Sequence, residues 1–214
     1  MQAFLNNIRV KQSCLARLQA LRADGTIRRF WLQKGGCVLG LTIDGRQHDD
    51  YEQILGIPRQ LGIVEDRIFE GLSLEEADNW PEDFLDAIAV GTDLQQANVW
   101  LRYAAWLMDD RTDGAIRFAK TDGARDAIGT VAALFRAGCT DGNSWSAAAE
   151  GAYKARWVGS EDDPAARAAA DAATCPKCTA VVATVAQLVK EDSARRVAYS
   201  RQAQKLLMML RAAA

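Results

Sequence analysis

Pro58-Arg59-Gln60-Leu61-Gly62-Ile63-Val64-Glu65-Asp66-Arg67-Ile68-Phe69-Glu70-Gly71-Leu72 is the stretch that decides the fold. Leu61, Val64, Ile68 and Leu72 recur at intervals of three and four residues, which puts them on one stripe of an α-helix. Pro58 suits a helix start, where its missing N–H is not needed, and Gly71 suits a helix end. The same punctuation repeats outward. Asp49 or Asp50 opens a short helix ending at Gly56, and Pro81 starts one carrying Phe84, Leu85 and Ile88 that closes at Gly91. Asp93 caps a further helix whose face includes Val99, Trp100, Tyr103, Trp106 and Leu107. Asp122 begins another with Ile128, Val131 and Phe135, ending at Gly138. Upstream, Phe4, Ile8, Leu15, Leu18 and Leu21 predict a helix over 3–23, stopped by Asp24-Gly25.

One region reads differently. Residues 27–32 are rich in β-formers, Lys34-Gly35-Gly36 is a turn, and 37–43 is again strand-like, which predicts a β-hairpin over about 26–43. Alternation along such a strand sends Phe30 and Trp31 to opposite faces. A lone hairpin is marginal in water, so it must lie on helices or pair with a second copy.

After Thr140-Asp141-Gly142-Asn143 the chain turns alanine-rich, with four helices expected over 144–158, 164–173, 176–189 and 192–213. Alanine favours helix but buries little area, so these helices need close backbone approach or another chain. The expected architecture is mainly α: a multi-helix core domain with the hairpin over 1–140, and an alanine-rich region over 141–214. That region is an appendage or oligomerisation arm, or an extension of the same bundle.

Charge is sorted along the 214 residues. Residues 1–47 carry a net +6, residues 48–100 a net −11, and the remainder +3, for a total of −2. Such sorting points to pairing between segments, between subunits, or with a charged partner. No apolar run approaches the length needed to cross a bilayer, the first residues have no signal-peptide layout, and five cysteines fit no disulfide framework. A cytoplasmic protein is expected.

Tyr51-Glu52-Gln53-Ile54-Leu55-Gly56-Ile57-Pro58, followed by Leu61 and by Glu65-Asp66-Arg67-Ile68-Phe69-Glu70-Gly71-Leu72, resembles a family of bacterial and phage-borne proteins. The likeness continues through Trp80-Pro81, Phe84-Leu85, Ala87-Ile88 and Val90-Gly91-Thr92-Asp93-Leu94, and takes in Gly35-Gly36-Cys37 and the tail ending Lys205-Leu206-Leu207. The family hairpin often has a second cysteine, where Leu41 stands here, and a histidine soon after it. The resemblance implies a mobile-element origin and brings no activity and no catalytic residue.

Four constellations carry candidate chemistry. Cys175-Pro176-Lys177-Cys178 has the spacing of a redox motif at a helix start, or of half a zinc site; its bland reading is a proline-started helix with two small cysteines. His48-Asp49-Asp50-Tyr51-Glu52 gathers the only histidine and three carboxylates, which with Glu65, Asp66 or Glu70 would suit a hard cation, or simply a helix start. Asp66 and Glu70 lie one turn apart beside Arg67. Arg28, Arg29 and Lys34 flank Phe30 and Trp31, a mix of charge and aromatic suited to nucleic acid, although the acidic segment that follows would repel phosphate.

No catalytic set, metal or cofactor is assigned from these. The expected function is non-enzymatic protein binding. One version is an inhibitor of a host defence complex, acting through a phosphate-mimicking acidic surface of Asp49, Asp50, Glu52, Glu65, Asp66, Glu70, Glu75, Glu76 and Asp78. The alternatives are a metal- or thiol-dependent enzyme using Cys175 and Cys178 or the His48 cluster, and a nucleic-acid-binding protein using the basic hairpin. A homodimer through the C-terminal helices or the hairpin is expected.

Overall fold

The helix punctuation largely becomes structure. A computed structural model of the protein describes residues 1–33, 38–43, 49–158, 161–175 and 180–214. The described chain forms two units, Met1–Val99 with Tyr199–Ala214, and Trp100–Ala198. The sequence reading divided the chain at 140 instead. In the structure the chain leaves the first unit after Val99 and re-enters it at Tyr199, inside its last helix.

Unit 1 contains α1 (Ile8–Ala23), α2 (Thr26–Gln33), α3 (Val38–Ile43), α4 (Asp49–Leu55), α5 (Arg59–Gly71), α6 (Leu74–Asp86) and the later part of α12 (Asp192–Arg211). The stripe that decides the fold is internal: Leu61, Val64, Ile68 and Leu72 are all buried. α5 packs against α3, α4 and α6. The bulky end of α12 supplies Tyr199, Leu206, Met209 and Leu210 to this unit as buried residues. Its Tyr199 ring lies against Gly71, where a Cβ would come within 2.2 Å of it.

The hairpin expected over 26–43 is not formed. Residues 26–33 and 38–43 are the helices α2 and α3, and Lys34, Gly35, Gly36 and Cys37 lie outside the described residues. Ile27, Phe30 and Trp31 have helical i, i+3, i+4 spacing, and burial on a helix face outweighs their β-propensity. Ile27 is buried, the Phe30 ring lies 6.4 Å from that of Phe69, and Trp31 Nε1 donates to the Phe69 carbonyl at 3.2 Å. Phe30 and Trp31 therefore both face α5, which a strand would have forbidden.

Three helix starts also differ from expectation. Pro81 lies inside α6, which begins at Leu74 behind a capping box of Ser73 and Glu76. Asp93 caps a turn, accepting from the Gln95 and Gln96 amides, and the next helix, α7 (Val99–Asp109), begins only after Asn98 at φ 52°. Residues Phe4, Leu5 and Asn6 form a left-handed turn (φ 54°, 52° and 55°) before α1. Hydrogen bonds from the Ala3 amide to the Thr92 carbonyl and from the Gly91 amide to the Ala3 carbonyl, both 2.9 Å, hold that costly conformation.

Unit 2 contains the rest of α7, then α8 (Asp122–Arg136), α9 (Gly142–Ala155), the paired strands β1 (Trp157–Val158) and β2 (Glu161–Asp162), α10 (Pro164–Thr174) and α11 (Ala180–Gln187). β1 and β2 are antiparallel and are the only strands among the described residues. α10 packs against α8, α9 and α11, and Ala165, Ala166, Ala168, Ala169, Ala170, Ala172 and Ala173 are all buried. Their methyl side chains allow the close helix approach that alanine requires to bury useful area. Large rings supply the remaining volume: Phe135 meets Trp145 at 4.9 Å and Trp100 at 6.3 Å.

Candidate functional site

The sorted charges meet inside unit 1. α1 and α2 pack on α6, so basic helices face an acidic one. Arg22 lies 3.0 Å from Glu82 and donates to Asn79 Oδ1 at 2.7 Å, Arg28 lies 3.3 Å from Asp78, and Lys11 lies 3.8 Å from Asp86. Arg29 pairs with Asp24 at 3.8 Å, and Lys34 lies outside the described residues. Arg28 and Arg29 are thus helical, and Arg28 is matched by the acidic segment itself.

Of the nine acids expected on one surface, the eight with described side chains do not share one setting. Glu65 and Asp66 are buried, Glu70 pairs with Arg67 at 3.0 Å, and Asp78 pairs with Arg28. Glu76 closes the capping box and accepts from Ser200 Oγ at 2.5 Å. Asp50 has its own interaction, Glu52 is half-buried, Glu75 is exposed, and the Asp49 side chain lies outside the described residues.

Glu65 and Asp66 instead anchor a buried polar network. The Tyr51 hydroxyl donates to Glu65 Oε2 at 2.5 Å, Trp80 Nε1 donates to the Glu65 carbonyl at 2.9 Å, and the Val38 amide donates to Asp66 Oδ1 at 2.9 Å. Burial pushes the Glu65 carboxyl well above the usual carboxylate value, outweighing the opposing hydrogen bond from Tyr51, and the Asp66 charge adds to the rise. Burial, then the charge of Glu65, raises the Tyr51 phenol, which also hydrogen-bonds Thr42. These bonds tie α3, α4, α5 and α6 together.

The thiol and metal candidates fall largely outside the described residues. Cys175 is exposed at the C-cap of α10, and Pro176, Lys177 and Cys178 lie outside the described residues, as does His48. Burial raises the Cys14 thiol, against the pull of Arg17, which favours the neutral form. Among the described residues no group of three His, Cys, Asp or Glu side chains is placed to hold a metal ion.

The feature the sequence reading passed over is in unit 2. At the end of α9 the Arg156 guanidinium lies 4.9 Å from the Trp157 ring centre and 5.7 Å from that of Tyr153, and both rings are about half exposed, at 49% and 56%. Asp162 fixes the guanidinium, accepting from Arg156 Nε at 2.5 Å, and its second oxygen lies 3.0 Å from Arg167. The i, i+3, i+4 spacing of Tyr153, Arg156 and Trp157 was available as a signal, but the alanine content of the segment obscured it.

Comparison with known protein families, curated proteins and solved structures finds no match to this chain. No described helix is long and apolar enough to cross a membrane.

Proposed function

We propose that the protein is a non-enzymatic protein-binding protein, and that it meets its partner through the Tyr153–Arg156–Trp157 surface of unit 2. The observation that carries this is a guanidinium set against two half-exposed aromatic rings at one helix end. Tyr, Trp and Arg are the side chains that most often dominate binding energy at protein interfaces. Asp162 orients Arg156 before any partner arrives, which lowers the entropy lost on binding. With the phage-like resemblance, the finer reading is an inhibitor of a host complex that uses this patch in place of the expected acidic surface.

The test is capture from bacterial lysate at near-physiological salt, using the tagged wild type beside a Tyr153→Ser/Trp157→Ser variant of matched circular dichroism. A defined protein retained by the wild type and lost by the variant supports the proposal. Identical capture by both, or capture by neither, overturns it. Light scattering of the same pair separates the remaining case: a wild-type dimer that becomes monomeric in the variant makes a second copy the partner.

A further inference from the structure

α6 carries six carboxylates: Glu75, Glu76, Asp78, Glu82, Asp83 and Asp86. Four of them are matched within unit 1. Arg28 lies against Asp78, Arg22 against Glu82 and Lys11 against Asp86, while Glu76 accepts from Ser73 and Ser200. Glu75 and Asp83 are left, and among the described residues neither carboxylate is in an ion pair. Both line one groove of about 320 Å³ between α6 and the later part of α12. Its floor is apolar: Leu72, Trp80 and Ala203 are buried there, with Leu207 beside them. The bond from Trp80 Nε1 to the Glu65 carbonyl fixes the indole, so the floor is preformed. No lysine or arginine is among the described residues that line the groove.

We infer that this groove binds a linear aliphatic polyamine, an alkyl chain with an ammonium group at each end. Glu75 and Asp83 stand eight residues apart on one helix, about 12 Å of rise. An extended chain reaches about 1.2 Å per single bond, so a diamine with about eight carbons between its nitrogens spans about 11 Å. One ammonium meets each carboxylate, and the methylenes cover Trp80, Ala203 and Leu207. An alkyl monoamine would leave one acid unmatched, and a short diamine would not reach both. Burial raises the Asp83 carboxyl although Arg211 and Arg22 lie within reach of its charge, so these guanidiniums do not make good the solvent it has lost. Arg22 is committed to Glu82 and Asn79, while the charge of Arg211 opposes a cation at that end. The groove belongs to unit 1 and does not depend on the Tyr153 surface.

The test is titration calorimetry of the full chain at near-physiological salt with octamethylenediamine and spermidine, with octylamine and putrescine as controls. One-to-one binding of at least one long amine is expected, with both controls weaker by roughly tenfold, the loss of one charge-assisted contact. The tighter of the two long amines tells whether the groove, beside the Gln204 amide, accepts a further ammonium in its middle. Glu75→Gln and Asp83→Asn should each weaken binding by roughly tenfold with circular dichroism unchanged. Arg211→Gln should strengthen it, because the opposing charge is gone. Asp122→Asn, at a carboxylate 98% exposed in unit 2, should leave it as it is. No heat from either long amine at millimolar concentration, octylamine or putrescine binding as tightly as both of them, or an equal loss in Asp122→Asn and the two groove variants would each overturn the inference.

Discussion

The Tyr51 hydroxyl is bonded to Glu65 Oε2, with both side chains wholly removed from solvent, while Glu65 Oε1 has no hydrogen-bond partner among the described residues. A carboxylate with one donor in such a place is poorly compensated, so the folded protein favours the protonated acid. Tyr51 and Glu65 therefore join α4 to α5 at a cost that depends on pH.

Because the Glu65 carboxyl titrates higher in the folded chain than in the unfolded one, the folded state binds the extra proton. Its contribution to stability is full below the ordinary value of 4.5 and is lost as pH rises through the folded value. Asp24, Asp93, Asp141 and Asp162 are shifted down and act in the opposite sense, so the wild type alone would blur the effect. The difference between wild type and Glu65→Gln isolates it. Urea unfolding from pH 4 upward should show the wild type losing stability relative to Glu65→Gln, with a limiting slope of about 1.4 kcal/mol per pH unit. Parallel curves would mean that Glu65 is already ionised in the folded protein.

Gly71 marks where α12 returns to unit 1, since a Cβ there would overlap the Tyr199 ring. Gly71→Ala should cost about 1–3 kcal/mol through overpacking. In a Tyr199→Ala background, itself destabilised by loss of a buried ring, the additional cost of Gly71→Ala should shrink, since the obstruction is then gone. Gly129, in the middle of α8 with nothing within 4 Å of a built Cβ, is the contrast. Gly129→Ala should stabilise by about 0.5–1 kcal/mol, because alanine is the better helix former. Thermal unfolding of these variants decides the matter, and a neutral Gly71→Ala would argue against this seating of Tyr199.

What the sequence made legible was mostly punctuation and stripes. Pro58 before α5, Gly56 and Gly138 at positive φ after helices, and Pro164 at the start of α10 each act locally, so their meaning survives without a tertiary context, whereas the helix expected to close at Gly91 already ends at Asp86. The charge sorting also pointed correctly to pairing between segments, which the contact of Arg22 with Glu82 realises. Residues 27–32 failed because β-propensity is weak and the deciding partner, Phe69, lies far along the chain. The acidic surface failed for a similar reason: composition reports a carboxylate but not its burial, and Glu65 faces inward. Nothing in the alanine-rich composition said that α10 would be enclosed by its own unit rather than by another chain.

Arg22 and Glu82 offer a direct measure of the charge pairing. Glu82 is the more buried partner at 14% side-chain exposure against 38% for Arg22. A double-mutant cycle with Arg22→Ala and Glu82→Ala should give a coupling of about 0.5–1 kcal/mol, shrinking in molar salt. A coupling that salt does not change would mean that packing of the arginine stem, not charge, joins α1 to α6.

Asp163 carries the largest expected effect in unit 2. Fully buried, it accepts from the Ala165 and Ala166 amides through Oδ1, at 2.9 and 3.2 Å, and from the Lys120 amide through Oδ2 at 2.8 Å. One carboxylate thus caps α10 and holds the segment leading into α8. Asp163→Ala would leave three amides without their acceptor, and each such loss costs about 1 kcal/mol or more, so a total near 3 kcal/mol is expected. Asp163→Asn keeps one oxygen acceptor and turns an NH₂ group toward the other amides, since an asparagine cannot accept at both ends. Its stability should fall between wild type and Asp163→Ala. Hydrogen exchange localises the damage: with the oxygen retained by the α10 cap, the Lys120 amide should exchange faster in Asp163→Asn while Ala165 and Ala166 stay protected. An Asp163→Asn protein with the stability and exchange pattern of wild type would show that the Lys120 bond contributes nothing to the fold.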